Sequence, residues 1–410
     1  MIERVVILND LAEPKGGATA LALASAMALR RRGLAVTFLC GDRGDNAALV
    51  AAGIEIVALG GERLLAGGKI RGLTNGLYNK DAGRLVRNWI ARNDTDATVY
   101  HLHGWAQILS PAALGALRSV LARTVIHAHD FFLACPNGSY AFLRSGAVCP
   151  LTPMSLACIS ANCDRRAYAH KLWRVTRHAL LKRVCDPARA PAILAIHAAM
   201  APFLMRAGIP AGAIAALPNP VVPYSTTRIA AEANREFLFV GRLEGTKGPD
   251  LAAAAARAAG VPMRFVGDGA MRAELEARYP EFAFTGRLDA AGIAQAAAGA
   301  RALVMPSRYP EPYGLVAAEA LWSGLPVIAA DTAFLTPDIA RAGAGWGVAP
   351  RDVVAFADRL RAVADDDMVV RQSSIAAFEG TRTLGLSPDA WIDALIAAYE
   401  ERLAARPLAA

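Results

Sequence analysis

The sequence predicts an α/β protein of two doubly wound, Rossmann-like domains whose strand ends face a central cleft. Three observations predict it. Short apolar runs suited to buried strands alternate with helical stretches along the chain, a pattern that implies parallel sheet with helices on both faces. The alternation comes as two series, separated by a stretch without clear periodicity at 217–234. With 410 residues, each series is long enough to build its own core.

The first series places strands at Arg4–Leu8, Ala35–Leu39, Ile54–Leu59, Thr98–Leu102, Val125–Ala128 and Ala192–Ile196. The separating stretch contains LPNPVVPY, whose prolines suit a linker. The second series reads FLFVG (237–241), MRFVG (263–267), FAFTG (282–286), ALVMP (302–306) and PVIAA (326–330), each ending in a glycine, a proline or a turn. A last helix, from about Ser387 to Ala405, carries Trp391, Leu395, Ile396 and Tyr399. The expected division is 1–222 for a first domain, 223–386 for a second, and 387–410 for a last helix. Ligand loops of such domains lie at the C-terminal ends of the strands.

No apolar run reaches membrane-spanning length; the longest, Gly17 to Leu29, stops at Arg30-Arg31-Arg32. The start, MIERVVILND, suits a strand rather than a signal peptide. The expected location is therefore the cytoplasm. Charge is unevenly placed: residues 1–222 hold 25 Lys/Arg against 13 Asp/Glu, and the remainder 19 against 23. Much of the excess lies between Asp164 and Arg189, with eight Lys/Arg against two Asp. A basic amphipathic helix there can lie on an anionic membrane surface, at the inner face of the membrane, or can simply be a solvated face. No aromatic-interleaved basic stripe or binding motif points to nucleic acid.

Residues 306 to 331, PSRYPEPYGLVAAEALWSGLPVIAAD, are the most informative stretch. Glu311 sits on a loop between Pro310 and Pro312, after a buried strand. Gly314 lets the backbone approach a ligand, and the N–H groups of Gly314, Leu315 and Val316 open a helix, a setting that favours phosphate. Glu319 is the one charge in AAEALW. It is costly to bury unless something hydrogen-bonds it, either a ribose diol or a neighbouring cation. The spacing of Glu311 and Glu319 carries no information, because Glu236 and Glu244 share it.

A second element is FVGRLEGTKGPDL, 239–251, where Arg242 and Lys247 follow a strand on one loop. Two cations there suit a diphosphate, Arg as a fork and Lys as a point charge. In the first loop, Gly16-Gly17 resembles a truncated phosphate-binding turn, without the full dinucleotide fingerprint or a P-loop Lys-Ser/Thr; a structural pair at a tight strand-to-helix turn explains it nearly as well. His101, His103, His127 and His129 cluster at two strand ends, with His129-Asp130 best placed to reach a cleft and one or two of the others expected in the core. Cys135, Cys149, Cys158 and Cys163 fall within 29 residues. Their separations depart from a CxxC zinc pattern, so buried free thiols are expected, with a structural zinc as the alternative.

Together these elements resemble the family-4 glycosyltransferases, retaining enzymes of the GT-B fold. The likeness covers nearly the whole chain: GGA near the first strand, TVIHAHDFFLACP, LPNPV, VGRLEGTKG, VGDG at 266–269, and PSRYPEPYGLVAAEALWSGLPVIA. The family usually has Phe at the place of Tyr313. The resemblance implies that Arg242 and Lys247 hold the donor diphosphate and stabilise the leaving nucleotide. Glu319 binds the ribose hydroxyls. Glu311 and the backbone from Tyr313 through Gly314 and Leu315 to Val316 contact the donor. Gly16 and Gly17 let the first loop close on donor and acceptor. His129 sits near the reacting centre, so His129, Arg242, Lys247 and Glu311 are the expected catalytic residues. It further implies that 1–222 is the acceptor-side domain, 223–386 the nucleotide-sugar donor domain and 387–410 a helix that crosses back to the first, with a UDP- or GDP-linked sugar as substrate and a glycan or lipid-linked acceptor in cell-surface polysaccharide synthesis. No DxD-like motif stands at a strand end, which fits catalysis without a metal cofactor. A nucleotide-sugar epimerase and a catalytically silent nucleotide-sugar binding protein are the alternatives.

Overall fold

The computed structural model describes residues 1–64 and 69–404, with no side-chain detail for 69–71. The chain divides into two compact units. The first comprises Met1–Tyr140, Pro150–Leu217 and Ala390–Ala410, and the second Ala141–Cys149 and Pro218–Asp389. The change of unit near the linker thus falls after Leu217, and the last helix, Pro388–Ala404, lies almost wholly in the first unit.

The first unit is built on seven strands: β1 Arg4–Asn9, β2 Ala35–Cys40, β3 Glu55–Ala58, β4 Thr98–Leu102, β5 Thr124–Ala128, β6 Ala192–Ala195 and β7 Ile214–Ala216. All pair in parallel, in the order β3-β2-β1-β4-β5-β6-β7. The order reverses direction between β1 and β4, so the loops after these two strands diverge and leave a crevice. The strands form because their β-branched and leucine side chains are covered on both faces: Val5, Val6, Ile7 and Leu8 are all fully buried.

The second unit has six parallel strands: β8 Glu236–Val240, β9 Met263–Val266, β10 Ala283–Gly286, β11 Ala300–Met305, β12 Val327–Ala330 and β13 Gly345–Val348. Their order is β10-β9-β8-β11-β12-β13, which reverses between β8 and β11. The two loops richest in expected site residues, 241–248 and 306–314, follow these two strands. No helix among the described residues is long and apolar enough to cross a membrane.

The basic helix differs from a uniformly solvated or membrane-facing surface. It spans Tyr168–Val184, and its buried positions are Lys171, Arg177, His178 and Leu181. Two of its cations therefore point inward, while apolar Leu172 is exposed. Arg177 donates to the Ala106 carbonyl at 3.0 Å and lies over the rings of Trp105 and Phe132. Burial lowers its pKa to about 10. Such stacking of a weakly hydrated guanidinium compensates for lost water.

Candidate functional site

In the second unit the loop after β8 runs through a short 3-10 turn, Gly245–Lys247, to Gly248 and the helix Pro249–Ala259. Gly248 has φ +71, and a Cβ there would lie 2.3 Å from the Pro306 carbonyl oxygen, so this approach of the two loops requires glycine. Arg308 fastens the same loops by donating to the Gly245 carbonyl at 2.8 Å and to the Asp250 carboxylate at 2.8 and 2.5 Å. The result is that Lys247 and Glu311 meet. The Lys247 Nζ lies 2.7 Å from both Glu311 oxygens. Ser307 Oγ donates to Glu311 at 2.7 Å, and Tyr309 hydrogen-bonds it as well. Burial alone would push the Glu311 carboxyl up, but the Lys247 charge and these donors outweigh it and hold the group below the usual carboxylate range. Arg242, by contrast, is largely exposed and pairs with Glu244 at 2.8 Å.

Gly314, at φ +77, caps the helix Leu315–Trp322 in the left-handed conformation, and a Cβ would meet the Met305 sulfur at 2.7 Å. The first intrahelical bonds run from Ala317 and Ala318 back to Gly314. The N–H groups of Leu315 and Val316 precede them, as in any first helical turn. Glu319 projects further along this helix. The Tyr224 hydroxyl, which donates to the Val316 carbonyl at 3.2 Å, stands beside it, and burial raises the Glu319 pKa from 4.5 to about 7, an effect Tyr224 relieves only in part. Tyr224 is itself placed by a bond from its N–H to Ser323 Oγ at 2.8 Å. Tyr313, which stands where a phenylalanine was expected, is buried and donates its hydroxyl to the Leu384 carbonyl at 2.8 Å.

In the first unit, Gly16 precedes the helix Gly17–Arg31 that follows the first loop. Asp10 organises the neighbourhood of that loop. Its buried carboxylate accepts from the N–H groups of Gln107, Ile108 and Leu109 at 2.7, 2.8 and 2.8 Å. Burial still leaves its pKa raised. Sequence reasoning missed Asp10, Tyr224 and Ser307. The only local signal for Asp10 is its place directly after a buried strand.

The four histidines converge on one sheet face. His129 Nε2 lies 2.9 Å from His103 Nδ1, and His103 Nε2 lies 3.2 Å from His101 Nδ1. The Tyr399 hydroxyl lies 2.6 Å from His101 Nδ1. His127 stacks on His129 with 4.5 Å between ring centroids. Desolvation holds all four imidazoles well below their usual pKa, to about 3 for His101 and His129, so they are neutral. Of the four, His129 is the one only partly buried.

None of the six cysteines forms a disulfide. Cys163 and Cys158 flank the Lys171 ammonium, their sulfurs 3.3 and 3.6 Å from Nζ. Cys149 belongs to the second unit, whereas Cys135, Cys158 and Cys163 belong to the first. A zinc ion held by these thiols would have to displace Lys171.

Two Rossmann-like units of parallel sheet define the architecture of GT-B proteins. Solved structures share it: sucrose-phosphate synthase from Thermosynechococcus elongatus (TM-score 0.72, 17% identity, 98% of this chain and 100% of that one) and Anabaena HepE in complex with UDP (TM-score 0.67, 17% identity, 97% and 100%). WaaG, a glycosyltransferase involved in lipopolysaccharide biosynthesis, is a third (TM-score 0.67, 18% identity, 95% and 99%). Among curated relatives, the glycogen synthase of Mycobacterium tuberculosis is 35% identical over 153 residues, a match spanning 35% of this chain and 37% of that protein. The Glycosyltransferase Family 4 model matches residues 15–223, and that of the Glycosyl transferases group 1 matches 234–366. The chain belongs to glycosyltransferase family 4.

Proposed function

We propose that the protein is a retaining, metal-independent hexosyltransferase. It moves a sugar from a UDP- or GDP-linked donor to a glycan or lipid-linked acceptor in cell-surface polysaccharide synthesis. The observation that carries this reading is the meeting of Lys247 and Glu311 beside the N-terminus of the Leu315–Trp322 helix. In this reading the donor diphosphate lies against Arg242, Lys247 and the N–H groups from Gly314 to Val316, the ribose diol donates to Glu319, and Glu311 faces the sugar. Breaking the bond from the sugar C1 to the diphosphate oxygen builds negative charge on the leaving nucleotide. Fixed cations and oriented N–H groups stabilise that charge without reorganising. The acceptor oxygen forms the new bond to C1, and its proton passes to the departing phosphate. His129 sits near the reacting centre, and the Gly16-Gly17 loop closes on donor and acceptor. The first unit also holds a cavity of about 1010 Å³ lined by Arg63, Asn75, Asp81, Arg84 and Gln107, polar groups suited to a hydroxyl-rich acceptor. The HepE complex with UDP supports a uridine donor by likeness of fold. Association with an anionic membrane rests on the charge of the first half, which Lys171 and Arg177 no longer supply.

The test is a titration of the protein with UDP- and GDP-sugars in the presence of a chelator, followed by measurement of acceptor-free hydrolysis. Binding with slow hydrolysis is expected. Absence of binding to every nucleotide sugar overturns the reading, and binding without turnover supports a silent binding protein instead.

A further inference from the structure

The histidine cluster leaves an imbalance. Among the described residues, nothing hydrogen-bonds the two buried ring nitrogens of His127 or the buried Nε2 of His101. His101 and His127 are at most 1% exposed. A neutral imidazole always carries one N–H and one lone pair, so His127 hides an unsatisfied donor and an unsatisfied acceptor. Each such group costs about 1–3 kcal/mol. An apolar ring of similar shape would avoid that cost, so a bound group that engages these nitrogens accounts for the imidazole. One ligand atom from each of His101, His103 and His127 can be chosen so that all lie within 4.8 Å of one another.

We propose that His101, His103 and His127 bind one divalent transition-metal ion of the imidazole-preferring class, such as zinc, cobalt or nickel, inside the first unit. The donor set fits. Three neutral nitrogen donors suit borderline ions and discriminate against magnesium and calcium, which take oxygen. The imidazoles need lose no proton, because their buried form is already the ligating one. Backbone register holds the donors in place: β4 and β5 pair with His101 beside Val125, and His103 and His127 each stand further toward the same strand ends. An outer shell is present as well. The Tyr399 hydroxyl reaches His101, and Ser25 Oγ lies 3.5 Å from His103 Nε2. Such partners orient ligating imidazoles. His129, partly exposed and bonded to His103, marks the route by which an ion enters. The site is distinct from the donor machinery, since all its residues lie in the first unit.

The experiment uses the full-length protein, stripped with a chelator and titrated with Co²⁺. The expected result is one equivalent bound, with visible d–d bands and no sulfur-to-cobalt charge-transfer band, and a rise in melting temperature on addition of Zn²⁺. His127→Phe and, separately, His101→Gln should each weaken binding at least about tenfold, the lower end of what loss of even an outer-shell partner costs. A Cys158→Ser/Cys163→Ser variant should bind as the parent does. The proposal is overturned if the parent protein binds neither ion. It is equally overturned if the bound cobalt shows the thiolate band and is lost with the cysteines. The parent's spectrum decides between these even if a histidine variant does not fold.

Discussion

Glu319 shows how one residue couples burial to ligand chemistry. Its carboxyl has an unfolded value near 4.5 and a folded value near 7, raised by burial and only partly relieved by Tyr224. The folded state therefore holds the proton more tightly. Stability linked to this group is fully present below about pH 4.5 and is lost as pH rises to about 7. Glu319→Gln, which keeps the shape without the charge, should match the parent's stability in acid and exceed it above about pH 7. After allowance for partial exposure the gain should be roughly 1–2 kcal/mol. Denaturant titrations at the two pH values check this, and equal stability at both would remove the burial argument. The same group gives a binding signature. Ribose hydroxyls donate to a carboxylate, so nucleotide affinity should weaken in the parent as pH falls through about 7 and should be weak and flat in the Gln variant. A parent whose affinity ignores pH in calorimetry would dissociate Glu319 from the ribose.

At the scale of the elements, the loops after β8 and β11 act as one unit because Lys247 and Glu311 neutralise each other in a buried setting. Lys247→Ala is consequently a poor probe of leaving-group stabilisation by itself. It strands a buried carboxylate, at a cost of about 3–5 kcal/mol. Lys247→Ala combined with Glu311→Gln should recover most of that stability while nucleotide-diphosphate affinity and turnover stay low. Melting curves and titrations with UDP on the single and double variants test it. Recovery of both stability and turnover in the double variant would mean that the lysine serves the fold alone. The two loops were legible in the sequence because strand-end glycines and prolines bracket them. The ion pair was not, because its partners are 64 residues apart. Tyr224 escaped notice for the same reason: it lies in a segment without periodicity and meets the Leu315–Trp322 helix 92 residues away, through its hydroxyl on the Val316 carbonyl.

At the scale of the whole molecule, the buried strands were legible to within a residue or two because both faces of a parallel sheet demand continuous apolar runs. The strands that escaped, β7 and β13, are edge strands, Ile-Ala-Ala and Gly-Trp-Gly-Val, short, poor in β-branched residues and partly exposed. The histidines were visible at two strand ends, but their convergence follows from the β4–β5 pairing and from Tyr399, almost 300 residues away in sequence. That contact shows how the end of the chain completes its beginning. Trp391, Ile392, Leu395 and Tyr399 are each no more than 2% exposed within the first unit. Burying each side chain is worth about 1.5–3 kcal/mol, so the four together rival the roughly 5–15 kcal/mol that holds a typical domain folded. A chain ending at Leu386 should therefore lose hydrogen-exchange protection in β4 and β5, where His101 and His127 meet Tyr399 and Trp391. Protection in β8 to β12 should persist, because those strands draw their core from the second unit. Trp391→Ala, at about 3–5 kcal/mol, should produce the same pattern in weaker form. If β4 and β5 exchange no faster in the truncated chain, the last helix does not belong energetically to the first unit's core.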